Sequence, residues 1–152
     1  MYVVTVAADG ERAGCLVGFA SQSSIDPPRF TVWLSVVNHT YRVARTARHL
    51  TVHLLHPGDR DLAEHFGGRT GDDVDKFAGV DWRPGPEGGP VLERASTWFT
   101  GRIEALLDGR PGDGDHVGFV LAPVAVSPAA PGGPRPPLRY RDVRDLRAGH
   151  PA

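Results

Sequence analysis

The 152-residue sequence contains a single cysteine, Cys15. A lone thiol closes no intramolecular disulfide, so folding does not depend on an oxidising compartment. No apolar run approaches the ~18–20 residues needed to span a bilayer. Met1 leads directly into Tyr2-Val3-Val4-Thr5-Val6, without the basic region, apolar core and cleavage site of a secretory leader. A cytoplasmic protein with no membrane partner is therefore expected. Charge of one sign is not in excess either, since 17 basic and 18 acidic side chains leave a formal net charge of −1. That balance supplies no field for nucleic acid. The sequence also lacks a Gly-x-Ser-x-Gly elbow, a Walker loop, a Rossmann glycine fingerprint and any internal repeat. Hydrolase chemistry and a resident dinucleotide fold are disfavoured accordingly.

What is abundant is glycine (19) and proline (14), which favours turns over an all-helical bundle. Met1 to Ala8 is β-branched and ends at Asp9-Gly10, a dipeptide suited to two-residue hairpins. A second strand is expected over Ala13 to Ala20. Asp26-Pro27-Pro28 interrupts the ladder, and Arg29 to Val37 reads as a third strand with Phe30, Val32 and Leu34 on one face. Thr40 to His49 carries a helical stripe of Val43, Ala44 and Ala47, with Arg42, Arg45 and Arg48 outward. Leu50 to Leu55 returns to strand. Asp59 is a candidate N-cap for a short helix bearing Leu62, Ala63 and Phe66, and Asp72 to Phe77 is another candidate helix. Pro84 to Pro90 reads as loop, Ser96 to Leu107 and His116 to Val126 as long strands joined by the turn-rich 108–113 segment. Pro128 to Pro137 is almost all Pro, Gly and Ala, so 129–137 is expected as an extended connector to a last strand at Leu138 to Tyr140. The expected architecture is a mainly β, six- to seven-stranded antiparallel split barrel with two or three short helices, one domain over 1–152. Closure removes exposed edges.

His49, His53 and His56 raise the possibility of zinc. Their stretch is β-like, however, so His53 and His56 point to opposite faces, and no second ligand motif accompanies them. No metal is expected.

The run Gly14-Cys15-Leu16-Val17-Gly18-Phe19-Ala20-Ser21-Gln22-Ser23-Ser24-Ile25-Asp26-Pro27-Pro28 resembles the flavin reductase-like, FMN-binding split-barrel family. That family carries a glycine after the first hairpin, a hydroxyl-rich strand and a Ser-x-Asp-Pro-Pro turn. Asn38-His39-Thr40, Leu62-Ala63-Glu64-His65-Phe66, Asp75-Lys76-Phe77-Ala78-Gly79 and Asp113-Gly114-Asp115-His116 follow in the family's order. The resemblance implies a dimeric split barrel that binds FMN, or FAD, and reduces it with NADH or NADPH. A flavin-dependent monooxygenase is the partner it suggests. A flavin- or haem-binding protein without enzymatic activity, or a deazaflavin-dependent reductase, is the alternative.

On this resemblance Leu16, Gly18 and Phe19 line the ring slot, with Ser21, Gln22 and Ser23 beside it as donors and acceptors. The same three polar residues suit a second task, satisfying backbone groups near the Pro-Pro turn. Asn38, His39 and Thr40 open the helix, where unpaired N–H groups and Arg42 can hold a phosphate, or where Asn38 simply caps. His116 is assigned nicotinamide contact or proton management, since hydride transfer needs proximity more than a strong acid or base. Phe66, Phe77 and Trp82 belong to the ring slot, the dimer contact or the core. Gly18-Phe19 replaces a hydroxyl pair, Leu16 a common Thr, and Gly101 a frequent Cys. The slot is thereby more apolar than is usual.

Overall fold

The structure is a computed structural model that describes residues 1–95, 97–108, 114–129, 133 and 135–149. Seven strands form one antiparallel sheet in the order β2-β1-β5-β8-β9-β4-β3. The first hairpin forms as expected. Strand β1 (Tyr2–Ala8) pairs with β2 (Glu11–Val17) across Asp9 at φ 51° and Gly10 at φ 81°. Two positive φ values give a turn whose twist matches the flanking strands.

The expected second strand divides in two. Chain β2 ends at Val17, and β3 (Ala20–Ser24) begins after only Gly18 and Phe19. These two strands occupy opposite edges of the sheet. A two-residue link between the edges forces the sheet to curl until they meet, so Gly18-Phe19 is the corner where the barrel comes together. The Phe19 carbonyl accepts from Trp33 N–H at 2.9 Å and ties the corner to β4 (Arg29–Ser35). That strand stops at Ser35, two residues short of the expected end. In the β3–β4 ladder, Ser23 is the extra residue of a bulge.

The first helix is shorter than its apolar stripe suggests. Helix α1 spans His39–Ala44, and the chain then unwinds through turns to β5 (His49–Leu54). The sheet claims this segment: β5 pairs with β1 on one side and β8 (Thr97–Leu107) on the other, and Ile103 N–H already bonds to Arg48 O at 2.9 Å. Pairing on both sides overrides a marginal helical preference. Helix α2 (Arg60–Gly67) buries Leu62, Ala63 and Phe66 as expected. Asp59 precedes it but bonds outward, accepting from His56 N–H at 2.9 Å rather than from the helix.

Three further expectations are corrected. Residues 72–77 form turns instead of a helix, with Phe77 N–H held by the Asp75 carboxylate at 2.9 Å. The Pro84-to-Pro90 stretch is part of a small two-stranded sheet, β6 (Trp82–Pro84) with β7 (Pro90–Leu92), joined by a 3₁₀ turn. Leu138 to Tyr140 is not a strand; it is extended and leads into a 3₁₀ turn at Tyr140–Asp142. Residues 109–113 of the expected connection, and 130–132 and 134 of the 129–137 connector, lie outside the described residues.

Strands β8 and β9 (His116–Val126) are the long central pair. Gly101 sits at a register shift between them, where a Cβ would stand 2.8 Å from Leu121 Cβ. Glycine is needed there for the close approach. Val4, Val6, Val32, Leu34, Leu50, Val52, Phe119 and Leu121 fill the barrel interior. A second cluster packs α2 against the barrel's outside with Val3, Leu55, Leu92, Leu138 and Val143. Phe66 and Phe77 are buried in it, edge-on to one another at 5.7 Å, with Trp82 next in line at 5.8 Å from Phe77. Of the roles open to these aromatics, packing is the one this places on view. No helix among the described residues is long and apolar enough to cross a membrane.

Candidate functional site

The corner that closes the barrel also opens a cleft. It has a volume of about 430 Å³, within the range of small-molecule sites. Leu16, Gly18 and Phe19 form one wall, Trp33 and Leu34 from β4 another, and Asn38, His116 and Tyr140 the polar margin. Five residues expected from the sequence thus converge: Leu16, Gly18, Phe19, Asn38 and His116.

His116 begins β9 opposite Ser35 of β4. Its Nδ1 lies 2.8 Å from the Asp115 carboxylate, and its ring stands edge-on to Phe19 at 5.2 Å. A carboxylate can only accept, so Nδ1 carries a proton, and in the neutral ring Nε2 is left as an acceptor. The same bond holds the Asp115 carboxyl below the usual carboxylate range. Phe19 is 65% exposed, so its ring is open to solvent at the mouth of the cleft.

Asn38 caps α1, its Oδ1 accepting from Thr40 N–H at 2.9 Å. Asn38 itself is buried and lines the cleft, while its Nδ2 has no partner among the described residues. A cleft wall with an unpaired amide donor suits a carbonyl- and nitrogen-edged ring such as a flavin. Gly18 adds room: a Cβ there would meet nothing closer than the Met1 side chain at 3.6 Å. The site therefore fits a flat, apolar ring with polar edges.

The remaining expected residues lie elsewhere. Ser21 Oγ donates to Gln22 O, Gln22 Nε2 to Ser24 O, and Ser23 Oγ accepts from Thr31. All three satisfy neighbouring groups on β3 and β4, outside the cleft. Thr40 is fully buried, and its hydroxyl meets no oxygen or nitrogen partner among the described residues, only the neighbouring Cys15 thiol. His39 stands between two carboxylates, Nε2 at 2.9 Å from Glu11 and Nδ1 at 3.0 Å from Asp72. Arg42 pairs with the same Asp72, whose carboxyl the His39 hydrogen bond and the Arg42 charge hold below its ordinary range. His39 and Asp72 border a separate hollow beyond Gly14.

Sequence reasoning missed Met1, Cys15, Trp33 and Tyr140 as cleft residues. Trp33 had a signal, since alternation places it on the face opposite Val32 and Leu34. Tyr140 had none: it arrives on a segment anchored by Leu138 N–H to Leu55 O at 2.7 Å. Burial pushes the Cys15 thiol up, against the smaller opposing influences of Thr40 and Lys76, so it is an inert wall. The three histidines considered for zinc are engaged separately. His49 faces Glu87 at 3.9 Å, His53 bridges Val3 O and Leu92 N–H, and His56 contacts Pro136 O.

Comparison with known proteins agrees with this geometry. A family model described as flavin reductase like domain matches residues 1–148. The chain is 31% identical over 129 residues to the flavin-dependent monooxygenase reductase subunit HsaB of Mycobacterium tuberculosis, covering 82% of this chain and 65% of that one. It is 33% identical over 107 residues to FMN reductase (NADH) RutF 2 of Rhizobium rhizogenes, covering 70% and 61%. It therefore spans a little under two thirds of either relative. The solved structure of the NADH:FAD oxidoreductase SgcE6 of Streptomyces globisporus superposes with a TM-score of 0.76 at 26% identity, covering 90% of this chain and 77% of that one. The chain belongs to the flavin reductase like domain family.

Proposed function

We propose that this protein is an NAD(P)H-dependent flavin reductase that binds FMN, or FAD, in the cleft at the barrel corner. The observation that carries the reading is the convergence of Leu16, Gly18, Phe19, Asn38 and His116 on one hollow of about 430 Å³. The relatives' names, an NADH-dependent FMN reductase and a monooxygenase reductase subunit, support the same activity and a monooxygenase as consumer of the reduced flavin. We place it in the cytoplasm as a homodimer. Phe19 at 65% and Ile25 at 85% exposure, both beside the β3 edge, supply apolar surface for a second copy.

A bound flavin supplies the two-electron acceptor for a hydride from the nicotinamide. The chain's own residues bind and orient. Leu16, Trp33 and Leu34 give the ring an apolar seat, and Asn38 Nδ2 donates to its polar edge. Phe19 presents a ring face at the mouth, excluding water and stacking on a planar substrate. His116, fixed by Asp115 at Nδ1, offers Nε2 as an acceptor and orients the incoming nicotinamide nucleotide. Proximity is the main catalytic contribution of such a site. Leu16, Gly18 and Phe19 offer the ring no side-chain hydrogen bonds, which favours a flavin that exchanges over one held permanently.

Anaerobic titration with FMN and FAD, followed by NADH addition, tests the proposal through flavin absorbance and fluorescence. Saturable quenching followed by bleaching of the flavin band is expected. Absence of flavin binding at tens of micromolar would refute it.

A further inference from the structure

The cleft does not end at Asn38. A smaller hollow of about 160 Å³ shares Met1, Cys15, Leu16, Asn38 and Tyr140 with it, so the two adjoin along these five residues and are treated as one trench. Phe19 and His116 stand at one end, and Arg69, Lys76 and Arg147 at the other. The trench is aromatic and apolar at its first end and cationic at its second.

Among the described residues, none of the cations at the second end makes an ion pair. Neighbouring arginines are matched, Arg60 by Asp145 and Arg94 by Asp61, which also occupies those carboxylates. Among the described residues, the guanidinium groups of Arg69 and Arg147 make no ion pair or hydrogen bond. Lys76 is only 5% exposed, and its Nζ donates to Gly14 O at 3.1 Å and Phe66 O at 2.9 Å. Both partners are neutral carbonyls, and one ammonium proton is left unassigned. Among the described residues no carboxylate ion-pairs with Nζ, Asp72 acting on it only through space, and an anion beside a buried ammonium relieves the cost of its burial. Burial accordingly lowers its pKa.

Two segments distant in sequence deliver the arginines. Arg69 follows Gly68, the C-cap of α2, while Arg147 lies on the C-terminal segment. That segment is fastened by Gly149 N–H to Gly67 O at 3.0 Å and by Arg60 to Asp142 O. The N-terminus of α1 compares poorly as an anion seat. Its helix has six residues, Glu11 and Asp72 flank His39, and Arg42 is already paired with Asp72.

We propose that Arg69 and Arg147 bind the phosphate of the flavin nucleotide, with Lys76 as the buried counter-charge, so that the ring lies at the Phe19–His116 end. The assignment rests on the flavin reading above. It makes the protein selective for phosphorylated flavins over riboflavin.

The test compares riboflavin and FMN by fluorescence titration of the wild type and of R69Q/R147Q, with thermal melting as a check on folding. Both arginines are exposed, so the double variant is expected to melt as the wild type does. The wild type should bind FMN about tenfold or more tightly than riboflavin, as charge-assisted hydrogen bonds imply. The double variant should lose most of that preference and keep its riboflavin affinity within about twofold. R42Q serves as the contrast and should leave the preference intact. Equal wild-type affinity for the two flavins overturns the assignment while leaving the flavin reading in place. So does a preference that survives in R69Q/R147Q, one that vanishes in R42Q instead, or an equal loss of both ligands. A wild type that binds neither of these nor FAD removes the flavin reading and this assignment with it.

Discussion

Two regions of this molecule are each built around a histidine, and they use it in opposite ways. On the β6–β7 flank, His53 is fully buried, with Nδ1 at 3.1 Å from Val3 O and Nε2 accepting from Leu92 N–H at 3.1 Å. Both ring nitrogens are satisfied, the tautomer is fixed, and burial lowers the pKa to about 4. At the β2–β3 corner, His116 has one nitrogen held by Asp115 and the other free beside a cleft. A polar group completed inside the fold fastens elements together. One left half-complete at a surface has capacity for a ligand. The same residue type thus serves stability in one place and recognition in the other, and its hydrogen bonds separate the cases.

The largest expected effect would come from breaking the fastened side. His53→Ala leaves Val3 O and Leu92 N–H without partners and a hole where the ring was. Urea denaturation should show a loss of about 3–5 kcal/mol, with flavin affinity of the folded fraction unchanged. If His53→Ala weakens flavin binding at full folding, the two regions are not separate.

Acid should sharpen the contrast next. His53 titrates near 4 when folded and near 6.5 when unfolded. Between those values the unfolded chain binds more protons, so stability falls as pH drops through the window and is complete above it. The contribution is on the order of 3 kcal/mol at neutral pH, and His53→Ala should flatten that limb of the stability profile.

On the ligand side the effects are smaller and invert the pattern. Asn38→Ala should weaken FMN binding by about 1–3 kcal/mol through the lost amide donor. Loss of the α1 cap should cost stability about 1 kcal/mol besides. Replacing Thr40 as well should add little to the binding loss, because Thr40 lies outside the cleft lining. His116→Ala should lower kcat/KM for NADH about tenfold, near 1.4 kcal/mol, with melting temperature and FMN affinity nearly unchanged. A comparable loss of FMN affinity in His116→Ala would assign that histidine to the flavin instead of the nicotinamide.

Much of the fold was legible from local physics. Asp9-Gly10 demanded a tight hairpin, Asp26-Pro27-Pro28 a break in the ladder, and the run from His116 to Val126 a long strand. Elements decided by remote pairing were not. The stripe of Val43, Ala44 and Ala47 extended α1 on paper, whereas pairing of β5 on both edges ended it at Ala44. The apolar run of Ala13 to Ala20 gave no sign that Gly18-Phe19 would carry the chain from one edge of the sheet to the other. For the site, five expected residues share the cleft, and Ser21, Gln22 and Ser23 do not. Their hydroxyl and amide groups suit a ligand or a neighbouring group equally well, and only the folded structure shows them bonded to neighbours on β3 and β4.

By itself the sequence determined a turn-rich, disulfide-free β chain and, through the run from Gly14 to Pro28, its family. Those are properties of residue type and short spacing. The tertiary structure decided which of the polar residues meet. It set His116 against Phe19, committed Arg42 to Asp72, and brought Arg69 and Arg147 from distant segments to the far end of one trench. The physical reason is that a side chain's role depends on which of its donors, acceptors and charges remain unsatisfied after folding. That remainder is set by contacts far apart in the chain.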